Sequence, residues 1–309
     1  MQTSKAIHPV SLRSPQTLTS TRTVEGIHRG GPVHWVGDGF RVRTVFPGQN
    51  LSSERVSPFV LLDHHPAYVY PALAEGQRGV GWHPHRGFET VTLAWQGSVA
   101  HRDTAGHSGV IHAGDVQWMT AASGVLHEEY HAPGFSRAGG PFEMLQLWVN
   151  LPAKDKMTAP DYQPITSAQI PVVPLEGEAG TVRVIAGAFG DVKGPARTFT
   201  PITMLDVRLS ASSQLTAPLP AHHNALVLVA EGRVRVGGRE ASTGEVVVLA
   251  NDGPHVELQA TAETHLVLLA GEPIDEPIFQ YGPFVMNTEA EIIQAVNDVN
   301  AGKFGPIPD

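Results

Sequence analysis

The hexapeptide Gln96-Gly97-Ser98-Val99-Ala100-His101 is echoed by Glu231-Gly232-Arg233-Val234-Arg235-Val236. Further along, Gly114-Asp115-Val116-Gln117-Trp118 is echoed by Gly244-Glu245-Val246-Val247-Val248. A separation of roughly 130 residues between copies marks a duplicated domain rather than a solenoid repeat. Each copy reads as strand, tight x-Gly turn, strand, and then a Gly-acidic turn into a further strand. That order suits a small antiparallel barrel built from hairpins. The fold expected is all-β, with two barrels in tandem.

Outward from these repeats, short apolar runs rich in β-branched and aromatic residues recur between turn residues. Phe59–Leu62, Thr90–Trp95, Val116–Met119 and Met144–Val149 fall in the first half, and Val182–Ile185, Met204–Val207, Ala225–Ala230, Glu245–Leu249 and His265–Leu269 in the second. One segment near the end, Asn287 to Asn300, has helical periodicity. Asn287 or Thr288 caps it, Ile292, Ile293, Val296 and Val299 form its apolar stripe, and Gly302 ends it. The stretch Leu151 to Pro174 holds five prolines and reads as a connection. The expected layout is an N-terminal arm over 1–24, a first barrel over 25–155, a linker over 156–174, and a second barrel over 175–309 that ends in the short helix.

Composition narrows the function classes. The 309 residues include 32 glycines and 25 prolines, a share suited to strands and turns rather than long helices. The formal net charge of -9 gives no bulk attraction to nucleic acid or anionic lipid. No apolar run approaches the ~20 residues of a membrane span, and the polar N-terminus lacks a signal-peptide core. With no cysteine, thiolate chemistry is excluded, and a cytoplasmic location is expected. Sixteen histidines leave imidazole and carboxylate as the available metal ligands.

Two motifs concentrate that chemistry: Trp82-His83-Pro84-His85-Arg86-Gly87-Phe88-Glu89 and Gly124-Val125-Leu126-His127-Glu128-Glu129. On a strand, residues two apart share a face. His83 and His85 therefore point together, as do His127 and Glu129. Two such pairs on facing strands make a three-imidazole, one-carboxylate set suited to Fe(II), Mn, Co, Ni, Cu or Zn. Glu89 has the same strand parity as His83 and His85 and competes for the carboxylate position, unless a bulge at Gly87 rotates it away. His131 reads as a partly exposed strand-end residue. His64, His65, His101, His107 and His112 lie in turn-rich surroundings and receive no role. In the second repeat the corresponding positions carry Pro218, Pro220, Glu257 and Gln259, so no second metal site is expected there.

The run His83 to Thr92, then Gly114 to Ala121 and Gly124 to Glu129, resembles the pirin family of the cupin superfamily. Leu145 to Pro152, Tyr281 to Asn287 and Gly302 to Gly305 are similar to that family as well. The resemblance spans about Gly31 to Gly305 and implies a bicupin with one mononuclear divalent metal in the first barrel, most often Fe(II). It implies His83, His85, His127 and Glu129 as metal ligands. Glu89 then becomes a candidate for orienting a ligand imidazole. The implied activity is that of a quercetin 2,3-dioxygenase, which opens a flavonol with O2, with Glu129 as the base that takes the 3-hydroxyl proton. The substrate class is a small planar phenol. A second reading from the resemblance is a non-enzymatic, iron-dependent regulator that binds partner proteins without touching nucleic acid or membrane. A third is an isomerase or decarboxylase with a redox-inert metal.

Overall fold

The computed structural model describes residues 20–48 and 51–308. The expected arm therefore lies outside the described residues, apart from 20–24. The chain forms two units, each a cupin. Residues 30–167 and 273–308 make the first, and 20–29 and 168–272 the second.

In the first unit a seven-stranded antiparallel sheet runs in the order Asp161–Ile165, Val116–Thr120, Phe88–Gln96, Gly140–Asn150, Phe59–Tyr70, Phe40–Phe46 and His34–Val36. A four-stranded sheet has the order Gly79–His85, Val125–His131, Ser98–Asp103 and Ser108–His112. The second unit repeats this scheme. Its large sheet runs Val24–Arg29, Glu245–Leu249, Asn224–Glu231, Thr264–Gly271, Ile202–Leu209, Gly180–Ala186 and Val172–Pro174. Its small sheet runs Gln214–Pro218, His255–Ala260, Arg233–Val236 and Arg239–Ser242. The repeat in the sequence thus marks one corner used twice, where the chain leaves the large sheet for the small one. Gly97 and Gly232 each turn it with φ near +85° (+82° and +87°). A Cβ at Gly97 would meet the Phe142 ring at 2.4 Å, and one at Gly232 the Glu263 carbonyl at 2.0 Å. Positive φ and close approach together require glycine at both places.

Three boundaries differ from the sequence expectation. Val24–Arg29, divided there between the arm and the first barrel, pairs with Glu245–Leu249 of the second cupin. Arg22 is fully buried in the same unit and donates to the carbonyl oxygens of His223 (2.7 Å) and Gly253 (3.0 Å). The expected linker is built into both cupins: Asp161–Ile165 pairs with Val116–Thr120, and Val172–Pro174 with Gly180–Ala186. Both strands are sheet edges, where Pro164 and Pro174 do no harm because an outward-facing N–H is not needed. Finally, the chain beyond Pro273 returns to the first cupin. The helix Glu289–Asn300 is capped by Thr288, whose Oγ1 accepts from the Glu291 N–H. It buries Ile292 and Ala295, while Ile293, expected on the apolar stripe, is 55 % exposed. No helix among the described residues is long and apolar enough to cross a membrane.

The second cupin is filled by one apolar cluster. Leu215 and Ala217 on one strand of its small sheet, and Val256 and Leu258 on the next, belong to that cluster. Those strands match the ones that bear the histidine motifs in the first cupin.

Candidate metal centre

His83 and His85 lie on Gly79–His85, and His127 lies on the adjacent antiparallel strand Val125–His131. His127 stands opposite His83, and Val125 opposite His85. Alternation along each strand turns the three imidazoles to one side. Ring centroids are 4.2 Å apart for His83 and His127, 4.7 Å for His85 and His127, and 4.9 Å for His83 and His85. One ring nitrogen from each lies within 4.8 Å of those of the other two.

The protonation of this cluster suits a cation. His85 and His127 are buried, and burial holds both well below the usual imidazole range. The neighbouring imidazoles add to the effect. Nδ1 of His83 is 2.8 Å from the Gly81 carbonyl oxygen. A carbonyl only accepts, so Nδ1 carries the proton and the Nε2 lone pair is left free. His127 Nε2 and His85 Nδ1 are buried without a hydrogen-bond partner. Orphaned buried nitrogens are costly in a folded protein, and neutral imidazoles with free nitrogens are what a divalent metal binds. The residues fit the group.

Glu129 is two residues beyond His127, but the strand register shifts between them, so it stands opposite Val80. Its carboxylate groups with His127 and His101 within 4.8 Å, in a second trio that shares His127 with the first. Three side chains on the large sheet surround it. Gln117 donates to Oε1 at 2.9 Å, Gln146 to Oε2 at 3.0 Å, and Thr92 to Oε1 at 3.5 Å. Two amides on opposite oxygens fix the plane of the carboxylate.

Glu89 is not with the imidazoles. Gly87 has φ +89° and sits between Gly79–His85 of the small sheet and Phe88–Gln96 of the large one, so strand parity does not carry across it. Glu89 is buried and accepts from Thr120 Oγ1 at 2.7 Å, while its Oε2 has no partner. It does not orient a ligand ring. Burial pushes its carboxyl up to about 7, against the opposing pull of the Thr120 hydroxyl.

Other departures concern residues with no local signature. His131, expected at a partly exposed strand end, is fully buried, and its Nε2 donates to the Gly39 carbonyl at 2.8 Å. Lys156, in the expected linker, is buried, and its Nζ donates to the Gly87 and Val285 carbonyls and to Asn150 Oδ1 at 2.6–2.8 Å. It fixes the backbone immediately after the His-x-His motif. His101, given no role from the sequence, is buried 3.3 Å (Nδ1 to Nδ1) from His127 and stacks on Tyr162 at 4.9 Å. Tyr162 in turn donates to Gln117. Only the fold brings these strands together, so the sequence held no signal for them.

Two β-barrels of this topology, with a cluster of three imidazoles in one, two of them buried, define a bicupin with a candidate metal centre. Comparison with known proteins narrows the class. Residues 39–149 match the family description "Pirin", and residues 204–305 match "Pirin C-terminal cupin domain". The chain is 49 % identical to a Pseudomonas aeruginosa protein named "Putative quercetin 2,3-dioxygenase", over 92 % of this chain and 98 % of that one. It is 38 % identical to human pirin, over 87 % and 89 %. The crystal structure of quercetin 2,3-dioxygenase from Acinetobacter baumannii superimposes with a TM-score of 0.90 at 46 % identity, covering 94 % of this chain and 100 % of that one. The chain belongs to the pirin family.

Proposed function

We propose that this protein is a metal-dependent dioxygenase that opens flavonol-type phenols such as quercetin. The observation that carries the reading is the trio His83, His85 and His127, with free ring nitrogens converging in the first cupin. The likeness to quercetin 2,3-dioxygenase of Acinetobacter baumannii supports the substrate class. His83, His85, His127 and Glu129 would hold one divalent ion, and the family resemblance favours Fe(II). When bound, such an ion would supply the one-electron chemistry that a spin-paired flavonol needs to react with triplet O2.

The chain's own residues do the rest. His85 and His127 are kept neutral by burial, so protons compete with the metal for these two rings only at low pH. Glu129 would take the proton of the flavonol 3-hydroxyl, as a carboxylate already oriented by Gln117 and Gln146. Trp148 and Phe88 pack with ring centroids 4.3 Å apart and planes tilted by 31°, and Trp148 lies 5.2 Å from His85, giving an apolar wall beside the imidazoles. The stoichiometry needs no external reductant: one flavonol and one O2 give one ring-opened ester and one carbon monoxide.

The test is reconstitution with Fe(II), following quercetin loss and O2 uptake together, with His127→Ala beside the wild type. Matched consumption by the wild type, and at least a hundredfold loss in the variant, is expected. A wild type that holds metal stoichiometrically yet consumes neither quercetin nor O2 would overturn the dioxygenase reading in favour of a regulatory one.

A further inference from the structure

Beyond the metal cluster, a buried chain of polar groups leads away from His127. Asp103 closes the strand Ser98–Asp103 and is almost completely buried. Its Oδ1 accepts from the backbone N–H groups of Ala105 (2.9 Å) and His107 (3.0 Å), which fixes the carboxylate in the turn. Its Oδ2 faces His101 Nε2 at 3.3 Å and His107 Nδ1 at 3.1 Å. His101 Nδ1, on the other side of that ring, is 3.3 Å from His127 Nδ1.

Donor and acceptor roles follow from the end of the chain. A carboxylate only accepts, so His101 Nε2 carries a proton toward Asp103. In a neutral imidazole the other nitrogen, Nδ1, is then bare and accepts. The hydrogen between the two rings must therefore belong to His127 Nδ1. With Nδ1 protonated, the lone pair of His127 sits on Nε2, the nitrogen buried without a partner. Burial works to raise the carboxyl of Asp103, and the bonds from His101 and His107 outweigh it, so it stays below its ordinary range.

We propose that Asp103 and His101 form a positioning pair that fixes the tautomer and ring orientation of His127, so that Nε2 is presented to a metal ion. The proposal deepens the metal-centre reading and rests on it. Partners of this kind behind a ligand histidine are worth about 10–100-fold in metal affinity. Tyr162, stacked on His101 with an interplanar angle of 10°, holds the relay ring flat.

Co(II) binding tests it without reference to turnover. Metal-free full-length protein is titrated with Co(II) against a chromophoric chelator, and the visible d–d spectrum is recorded. His101→Phe keeps the ring and its stacking on Tyr162 but removes the acceptor. His101→Gln restores an acceptor at similar reach. Asp103→Asn keeps the turn, because its Oδ1 still accepts from Ala105 and His107, but replaces the oxygen facing His101 with a donor. Affinity is expected to fall about 10–100-fold in His101→Phe and Asp103→Asn, with an altered spectrum, and to recover in His101→Gln. Wild-type affinity and spectrum within twofold in His101→Phe would overturn the relay while leaving the metal centre standing. So would a His101→Gln as weak as the Phe variant. If His101→Phe shows no cooperative melt, Asp103→Asn decides by the same twofold criterion. A wild type that binds no Co(II) would overturn the metal reading and the relay together.

Discussion

Glu89 is the residue whose chemistry departs most from what its position in the motif suggests. Its carboxyl titrates near 7 in the folded chain and near 4.5 when unfolded, so the folded state binds the extra proton between those values. Stability should therefore fall as pH rises through that window, with the full penalty, about 3 kcal/mol, present above pH 7. Glu89→Gln keeps an acceptor for Thr120 and removes the charge. The metal-free variant is expected to melt several degrees above the wild type at pH 8 and to match it near pH 4.5. Equal melting temperatures at both pH values would show that the carboxyl is not desolvated. At this scale the sequence was legible wherever a contact is local. His83 and His85 share a strand, and their alternation is enough to pair them. Glu89 was misplaced because Gly87, at positive φ, moves the chain from one sheet to the other. His101 was invisible because its partner lies 26 residues away on another strand and no pattern links them.

At the scale of elements, the end of the chain props the strand that carries His127. Phe284, Met286, Ile292, Ala295 and Phe304 form a cluster against which Leu126 packs. Arg86, next to His85, pairs with Asp298 of the helix at 2.9 Å and lies over the Phe304 ring. Gly124 has φ +124°, and a Cβ there would come within 2.5 Å of Phe304. Gly124→Ala should thus cost about 2 kcal/mol through strain and clash, and should weaken Co(II) binding because the displaced strand carries His127. Calorimetry with a Co(II) titration checks both; an unchanged melt would mean that the helix does not brace this strand. The strands and the helix were readable from periodicity and capping, including the choice of two caps that Thr288 settles. The proline-rich edge strands were not. Prolines signal loops by their missing N–H, and only the sheet order shows that these N–H groups would have faced outward. Ile293 misled for a related reason: periodicity gives a stripe, but its width depends on what the helix packs against.

For the whole molecule, the decisive fact is that neither cupin is a continuous stretch of chain. The duplication was legible because both copies keep the same glycine turns. The exchange of terminal segments was not, since a six-residue strand such as Val24–Arg29 fits either barrel by composition alone. A chain ending at Glu272 should keep the second cupin's sheets but strip the first of Phe284, Val285 and Met286. In the intact protein Val285 is buried with Val60 and Phe88. The truncated chain is expected to lose Co(II) binding and one calorimetric transition while retaining another. A single unchanged transition with metal binding intact would contradict this division.

The pairing of Val24–Arg29 with Glu245–Leu249 also sets an order of events during synthesis. The strand leaves the ribosome more than two hundred residues ahead of its partner. At typical elongation rates of 5–20 residues per second, it waits roughly 10–40 s for that edge to appear. The first cupin's large sheet can close in that interval, but its helix Glu289–Asn300 emerges only after Thr264–Gly271, the last strand of the second cupin, so the second barrel can close before the first is complete. Anything fused ahead of Val24 must leave that strand free through the wait, and a chaperone that shields exposed β-edges would have most to do for this protein between its two halves.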